Sequence, residues 1–219
     1  MEGERVREGL DELLLLGDYV VTSTDYPKAA TGEEDLEAAM VKLAASLPRA
    51  KALVTTLGSR GAVMLQRVNE WGEAGGGDGK GEKRETLAGL LAKLEEDAAA
   101  AAGAGVGKKS DGGVVVPVPG VPVTSGAVYL TDGGEATAAA LGPVRVTFAP
   151  AAALSISDVA DTTGAGDSFI GSMCYGVATG MDLAAAMRLG AYVAARKCTR
   201  LGARPGLPTR DTIPAELLP

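Results

Sequence analysis

Residues 161–169 read Asp-Thr-Thr-Gly-Ala-Gly-Asp-Ser-Phe, a loop of small residues that runs directly into an apolar helical pattern. Gly164, Ala165 and Gly166 carry almost no side chain, so their backbone N–H groups can approach a charged ligand closely. At the start of a helix, unpaired N–H donors and the helix dipole favour phosphate. The stretch therefore predicts an anion site at a helix N-terminus.

Asp167 is the unusual member of this stretch, because phosphate repels a neighbouring carboxylate. Its presence is explained if it takes a proton from a hydroxyl group that attacks the phosphate. An aspartate near a helix start can also cap the unpaired N–H groups of the first turn. The isolated Gly-Ala-Gly-Asp sequence leaves both interpretations open.

The nine residues closely resemble the C-terminal signature of the ribokinase-like, or pfkB, family of carbohydrate and nucleoside kinases. Residues 54–61 resemble the family's strand-to-turn nucleotide segment, and residues 197–208 resemble its last helix and closing loop. The resemblance implies an α/β, three-layer Rossmann-like fold. Family members are considerably longer and all matching segments belong to their C-terminal half, so we expect residues 1–219 to be the C-terminal part of one kinase domain.

The resemblance implies an ATP-dependent kinase that phosphorylates a hydroxyl group of a sugar or related small molecule. It makes Asp167 the catalytic base and Gly164, Ala165 and Gly166 the anion hole. The residues that match the nucleotide-contacting turn are Thr56, Gly58, Ser59, Arg60 and Gly61. From these residues alone, a turn that needs positive φ explains the two glycines of the turn equally well.

The resemblance also implies two cations. Mg²⁺ would bridge the phosphates of ATP, largely through water, and a monovalent cation such as K⁺ would lie beside Asp161 and Thr163. Many members carry an Asn-x-x-Glu motif linked to magnesium, where this chain has Ser23-Thr24-Asp25-Tyr26. We expect Asp25 to compensate for the missing glutamate.

Four other interpretations are weaker. The altered segment 23–26 and the long insertion described below favour a non-catalytic family member that binds nucleotide or a protein partner, whereas Asp167 opposes it. An inactive truncated fragment is a separate alternative, because no segment matches the family's N-terminal half, which supplies part of the sheet and most of the acceptor site. A dinucleotide-binding oxidoreductase needs glycine or alanine where Phe169 stands. Residues 103–110 resemble a Walker A loop, but Ala102 replaces its first glycine and Lys109 its Ser/Thr.

Composition excludes several classes of function. The 219 residues are 46% apolar and carry a net charge of −7 without a basic run, which argues against nucleic-acid or anionic-membrane binding. The absence of histidine excludes Ser-His and Cys-His catalysis and His-based zinc sites. Cys174 and Cys198 are expected to be buried and reduced in a cytoplasmic protein, although a preceding segment would carry any targeting peptide. A homodimer is left open.

Alternation of strand and helix patterns predicts a parallel sheet with crossover helices. Residues 69–113 are rich in Gly, Ala, Lys and Glu and predict a flexible insertion, because little on residues 86–102 could anchor a helix to a core. Strands are predicted at 18–22, 52–57, 62–66, 114–118, 127–131 and 144–148, the last two at the sheet periphery. Helices are predicted at 4–16, from a capping box at 31–34 to Pro48, at 168–180, and from Asp182 to Gly202 with Cys198 facing the core.

Overall fold

The computed structural model describes residues 2–3, 8–68, 83–103, 108–109, 115–116 and 122–219. These group into two compact units. The sheet unit contains Met1–Gly58, Val63–Glu95 and Val123–Phe148, and the signature unit contains Ser59–Ala62, Glu96–Pro122 and Ala149–Pro219.

Seven strands of the described residues form one sheet, in the order β1-β2-β3-β4-β9-β8-β5. Their bounds are Glu2–Gly3 (β1), Tyr19–Thr22 (β2), Ala52–Thr56 (β3), Gly61–Arg67 (β4), Arg84–Glu85 (β5), Val123–Leu130 (β8) and Val144–Pro150 (β9). Strands β1, β2 and β3 pair in parallel, whereas β8 and β9 pair antiparallel. The predicted α/β class is therefore confirmed, but the sheet is mixed.

The predicted strands β2, β3, β4 and β9 all form. The strand predicted at 127–131 forms as β8 but begins earlier, at Val123. Strand β9 lies between β8 and β4, and β8 lies between β9 and β5, so neither is an edge of the sheet. Strand β3 is buried along Ala52–Thr55, as its continuous apolar and β-branched run predicts. Its one buried hydroxyl, that of Thr55, lies 3.0 Å from the hydroxyl of Thr22 in β2.

The helices of the sheet unit are α1 Leu10–Leu14, α2 Asp25–Thr31, α3 Leu36–Ser46, α5 Gly134–Leu141 and the first part of α4. Helix α1 is shorter than predicted, and part of the predicted range lies outside the described residues. The capping box predicted at 31–34 is wrong. Asp35 caps α3 by accepting from the Ala38 N–H at 2.8 Å, and Thr31 instead ends α2, a helix that the sequence did not predict.

The prediction of a flexible insertion is wrong where the structure describes it. Helix α4 spans Leu87–Gly103, and its leucines at 87, 90, 91 and 94 are buried. The helix begins where the Leu87 N–H donates to the carboxylate of Asp132 at 2.7 Å. These leucines follow helical spacing and anchor the helix to a core, which the alanine-rich composition concealed. Residues 69–82 and much of the Walker-like stretch lie outside the described residues.

The signature unit is built on α6, Ala165–Thr179, and α7, Leu183–Cys198. Gly190 lies against the ring of Phe169, where a Cβ would be 2.7 Å from a ring carbon, and Gly176 packs equally closely on Ala186. Glycine at each crossing point lets α6 and α7 approach closely. The unit also contains the antiparallel strands β6, Lys108–Lys109, and β7, Val115–Val116.

The structure confirms the Asp182 cap of α7, whose carboxylate accepts from the N–H groups of Ala184 and Ala185. Cys198 is buried as predicted, but Cys174 is exposed, which corrects the expectation for both cysteines. Leu201 is 78% exposed because α7 ends at Cys198, before the predicted stop. Among the described residues, no helix has the length and apolar character needed to cross a membrane.

Candidate functional site

The signature loop, residues 161–167, turns into α6 at Gly164. This residue is the N-cap and has φ of 81°, a left-handed conformation that favours glycine. A Cβ there would lie 3.0 Å from the Cβ of Ala203, so the closing segment, residues 199–219 after α7, packs directly against the turn. Glycine is therefore required at this position by both backbone conformation and space.

The first turn of α6 presents free backbone donors. The Ala165 N–H donates to the Thr162 carbonyl at 3.1 Å, but no described acceptor pairs with the N–H groups of Gly166 and Asp167. A Cβ placed on Gly166 would have no atom within 4 Å, so space in front of this turn is open. Open donors at a helix N-terminus can bind an anion.

Asp167 lies exposed in this first turn, and α6 has no side-chain cap. The alternative in which Asp167 caps the helix is therefore not the arrangement found. In the described part of the chain its carboxylate has no hydrogen-bond partner, so it can accept a proton from a bound molecule. Asp167 also lines a cavity of about 560 Å³, together with Tyr175 of α6 and the closing-segment residues Arg204 and Arg210.

Asp161, at the other end of the loop, has both carboxylate oxygens engaged. Its Oδ1 accepts from the Thr163 N–H at 2.9 Å, and its Oδ2 accepts from the Gly202 N–H at 2.8 Å. Hydrogen bonds from Thr163, and next from Gly202, lower the pKa of Asp161 to about 2 because they stabilise the charged carboxylate. Asp161 thus ties the loop to the segment that follows α7.

Lys197 is a residue of this site that the sequence did not reveal. Its side chain is 0% exposed, and its Nζ donates to the Asp161 backbone carbonyl at 2.6 Å. The same Nζ lies 3.9 Å from Asp161 Oδ2. The sequence does indicate that Lys197 is buried, because it follows the buried Gly190 and Val193 at helical spacing.

The end of α7 also holds the loop through its backbone. The Cys198 carbonyl accepts from the N–H groups of Ala160 at 2.8 Å and Asp161 at 3.2 Å. Gly206 packs on the Lys197 carbonyl so closely that a Cβ would collide with it. The signature loop, the end of α7 and the closing segment therefore form one bonded cluster.

The residues of the turn predicted to contact the nucleotide divide between the two units. In the sheet unit, Thr24 Oγ1 donates to the Thr56 carbonyl at 2.7 Å, which places the segment that carries Asp25 at the end of β3. Gly58 has φ of 59° and open space at its Cβ position. Exposed Ser59 and Arg60 belong to the signature unit.

Gly61 has a structural reason of its own. It has φ of 122°, and a Cβ there would collide with the backbone of residues 149–151. The Arg60 carbonyl accepts from the Ala151 N–H at 3.3 Å in the same place. Packing therefore explains Gly61, whereas Gly58 is required only by its backbone conformation.

The residues fit the implied groups unequally. Open N–H groups and empty space before α6 suit the phosphates of ATP. In the described residues no three acidic, cysteine or histidine side chains cluster as metal ligands. The monovalent cation fits poorly, because the ammonium of Lys197 already lies against Asp161.

Comparison with known families supports the resemblance. Residues 122–210, which include the signature loop, match the sequence model of the pfkB family carbohydrate kinases. The predicted resemblance to the pfkB family is confirmed. The chain is also 43% identical over 67 residues to an uncharacterized sugar kinase of Archaeoglobus fulgidus, a match that covers 31% of this chain and 25% of the relative.

Solved structures show the ribokinase-like fold. A putative ribokinase from Agrobacterium tumefaciens has a TM-score of 0.54 and 21% identity, over 96% of this chain and 44% of that one. A Vibrio cholerae fructokinase, with fructose, ADP and a potassium ion bound, has a TM-score of 0.51 and 16% identity, over 93% of this chain and 43% of that one. The chain thus spans less than half the length of these kinases.

Proposed function

We propose that this chain carries the nucleotide-binding and catalytic-base part of a pfkB-type kinase, which transfers the γ-phosphate of ATP to a hydroxyl group of a sugar or related small molecule. The observation that supports this most strongly is the exposed carboxylate of Asp167 beside the N–H groups at the start of α6, all without a partner among the described residues. An acid and an anion site side by side suit phosphoryl transfer.

Asp167 acts as the base in this proposal. It orients the acceptor hydroxyl and takes its proton as the oxygen attacks phosphorus. Gly164, Ala165 and Gly166 form the anion hole, in which Gly164 sets the turn and the Gly166 N–H is free to donate. When ATP is bound with Mg²⁺, ATP supplies the phosphoryl group and Mg²⁺ partly neutralises the charge of the phosphates.

The turn Thr56, Gly58, Ser59, Arg60 and Gly61 contacts the nucleotide in this proposal. Gly58 supports this role, because its open surroundings leave the backbone accessible. The exposed guanidinium of Arg60 suits a phosphate. The resemblance also implies K⁺ beside Asp161 and Thr163, where the ammonium of Lys197 already lies.

The acceptor is proposed to be a small polyhydroxy compound that reaches Asp167. The cavity beside Asp167 is of the size that small-molecule sites have, about 560 Å³. The fructokinase relative is described with fructose, which makes fructose a natural first acceptor to assay. Other sugars and nucleosides complete the panel.

Phosphate transfer by the 219-residue chain tests this proposal. ADP and phosphorylated product are measured with each acceptor in the presence of Mg²⁺, against an Asp167→Asn variant of the same chain. We expect acceptor-dependent ADP formation that the variant lacks. ATP binding without any transfer would instead support the binding-only alternative. The absence of both ATP binding and transfer would contradict the proposed function of this chain.

A further inference from the structure

Lys197 is the most unusual charged residue of the signature unit, because its side chain has no exposed surface. Lysine is almost never fully buried without a partner. Here both partners belong to one residue, with the Asp161 carbonyl 2.6 Å and Asp161 Oδ2 3.9 Å from Nζ. The buried charge is therefore directed at a single point of the signature loop.

The surroundings of this ammonium are those that a monovalent cation uses. K⁺ sites in proteins are built from backbone carbonyl oxygens, which replace the hydration shell of the ion. The Asp161 carbonyl and carboxylate offer oxygens of this kind on the inner side of the loop. An ammonium carries the same charge as K⁺ and can bind the same oxygens through its protons.

A second cation close by would meet two obstacles. Both carboxylate oxygens of Asp161 already accept backbone N–H groups, from Thr163 and Gly202. The charge of Lys197 would also repel an ion at the same carboxylate, and this repulsion is stronger in a water-poor interior than in solvent. The carboxylate oxygens of Asp161 thus already bind groups of the protein itself.

We propose that the ammonium of Lys197 replaces a bound monovalent cation at the signature loop, so that this chain holds its loop in place without K⁺. The ammonium belongs to a side chain of α7, whose Cys198 carbonyl accepts hydrogen bonds from the N–H groups of Ala160 and Asp161 in the same loop. The inference rests on the proposed function for its meaning in catalysis. Its readout is stability rather than phosphate transfer, so the two proposals can fail separately.

Thermal melting of the native chain in chloride salts of K⁺, Na⁺ and choline, at equal ionic strength, tests the replacement. A cation that binds only the folded state raises Tm by mass action. We expect the same Tm in all three salts. A Tm that is specifically higher in K⁺ would overturn the proposal, and this measurement needs no variant.

The variant Lys197→Ala tests whether the position accepts a cation at all. It removes the charge and opens space at the Asp161 oxygens, so we expect a lower Tm that K⁺ or ammonium, but not choline, restores by about 2–4 °C. Lys197→Met is the matched control, because it removes the charge but fills the space, so its Tm should be the same with every cation. A folded Lys197→Ala variant whose Tm is also the same with every cation would overturn the proposal. If the variant does not fold, the native melting curves decide.

Discussion

The two ends of the signature loop carry the same chemical group in opposite surroundings. Asp161 has both carboxylate oxygens bonded to backbone N–H groups and a buried ammonium nearby. Asp167 is exposed at the start of α6 and caps nothing. A bonded carboxylate fixes the position of a loop, whereas an exposed one can exchange a proton with a ligand, so of the two we propose Asp167 for the chemistry.

The largest expected effect comes from Asp167→Asn. Loss of a general base costs about 10²–10⁴-fold in rate, so transfer should nearly vanish. ATP affinity should change little, because the free N–H groups of the first turn remain. Turnover and ATP binding are measured side by side, with Asp158→Asn, a partly exposed aspartate of the signature unit, as the control. Unchanged turnover in Asp167→Asn would show that Asp167 is not the catalytic base.

Gly164→Ala should destabilise the fold. Alanine in a left-handed conformation costs about 1–2 kcal/mol, and the added methyl would press on Ala203. Chemical denaturation measures the loss in the free energy of unfolding. A variant as stable as the native chain would show that the turn at the start of α6 is not held as described.

Gly166→Ala is the matched substitution two residues further along, and it should have the opposite sign. The methyl meets no atom within 4 Å, and alanine is favoured over glycine in a helix by about 0.5–1 kcal/mol. We expect a slightly more stable protein with weaker ATP binding, because the methyl narrows the approach to the free N–H groups. Native ATP affinity in this variant would argue against the anion hole.

The smallest effect is a pH dependence. The pKa of Asp161 is about 2 in the folded chain and lies near its ordinary value when unfolded, so the unfolded chain binds the proton first as the pH falls. The stabilisation from Asp161 is present above about pH 4 and is lost between about pH 4 and pH 2. Tm measured across this range should fall less steeply in Asp161→Asn. Parallel curves would contradict the assignment.

Local sequence predicted the signature loop well. The presence of α6, the Asp182 cap and the buried β3 follow from small residues, a short polar side chain and a β-branched run, which act on their immediate neighbours. Helix α6 begins at Ala165, however, three residues before the predicted start at Ser168. Residue roles matched to the family stay predictions, including the Thr56–Gly61 nucleotide turn.

Distant contacts were beyond the sequence. The cap of α4 comes from Asp132, the first turn of α6 packs on Ala203, and Lys197 reaches Asp161 from another helix. Each partner is far along the chain, so no local pattern identifies these contacts, although helical spacing with Gly190 and Val193 indicates that Lys197 is buried. The predicted capping box failed for a different, local reason, because Asp35 lies directly before Leu36 and caps the helix itself.

Thermal melting of Asp161→Asn and Asp167→Asn at neutral pH tests most directly whether the two carboxylates differ in role. Asp161→Asn should melt well below the native chain, because it loses charged hydrogen-bond acceptors and leaves the buried Lys197 without its carboxylate. Asp167→Asn should melt at the same temperature as the native chain, because its carboxylate has no partner to lose among the described residues. Equal Tm values for the two variants, or a lower Tm for Asp167→Asn, would contradict this division between a structural and a chemical aspartate.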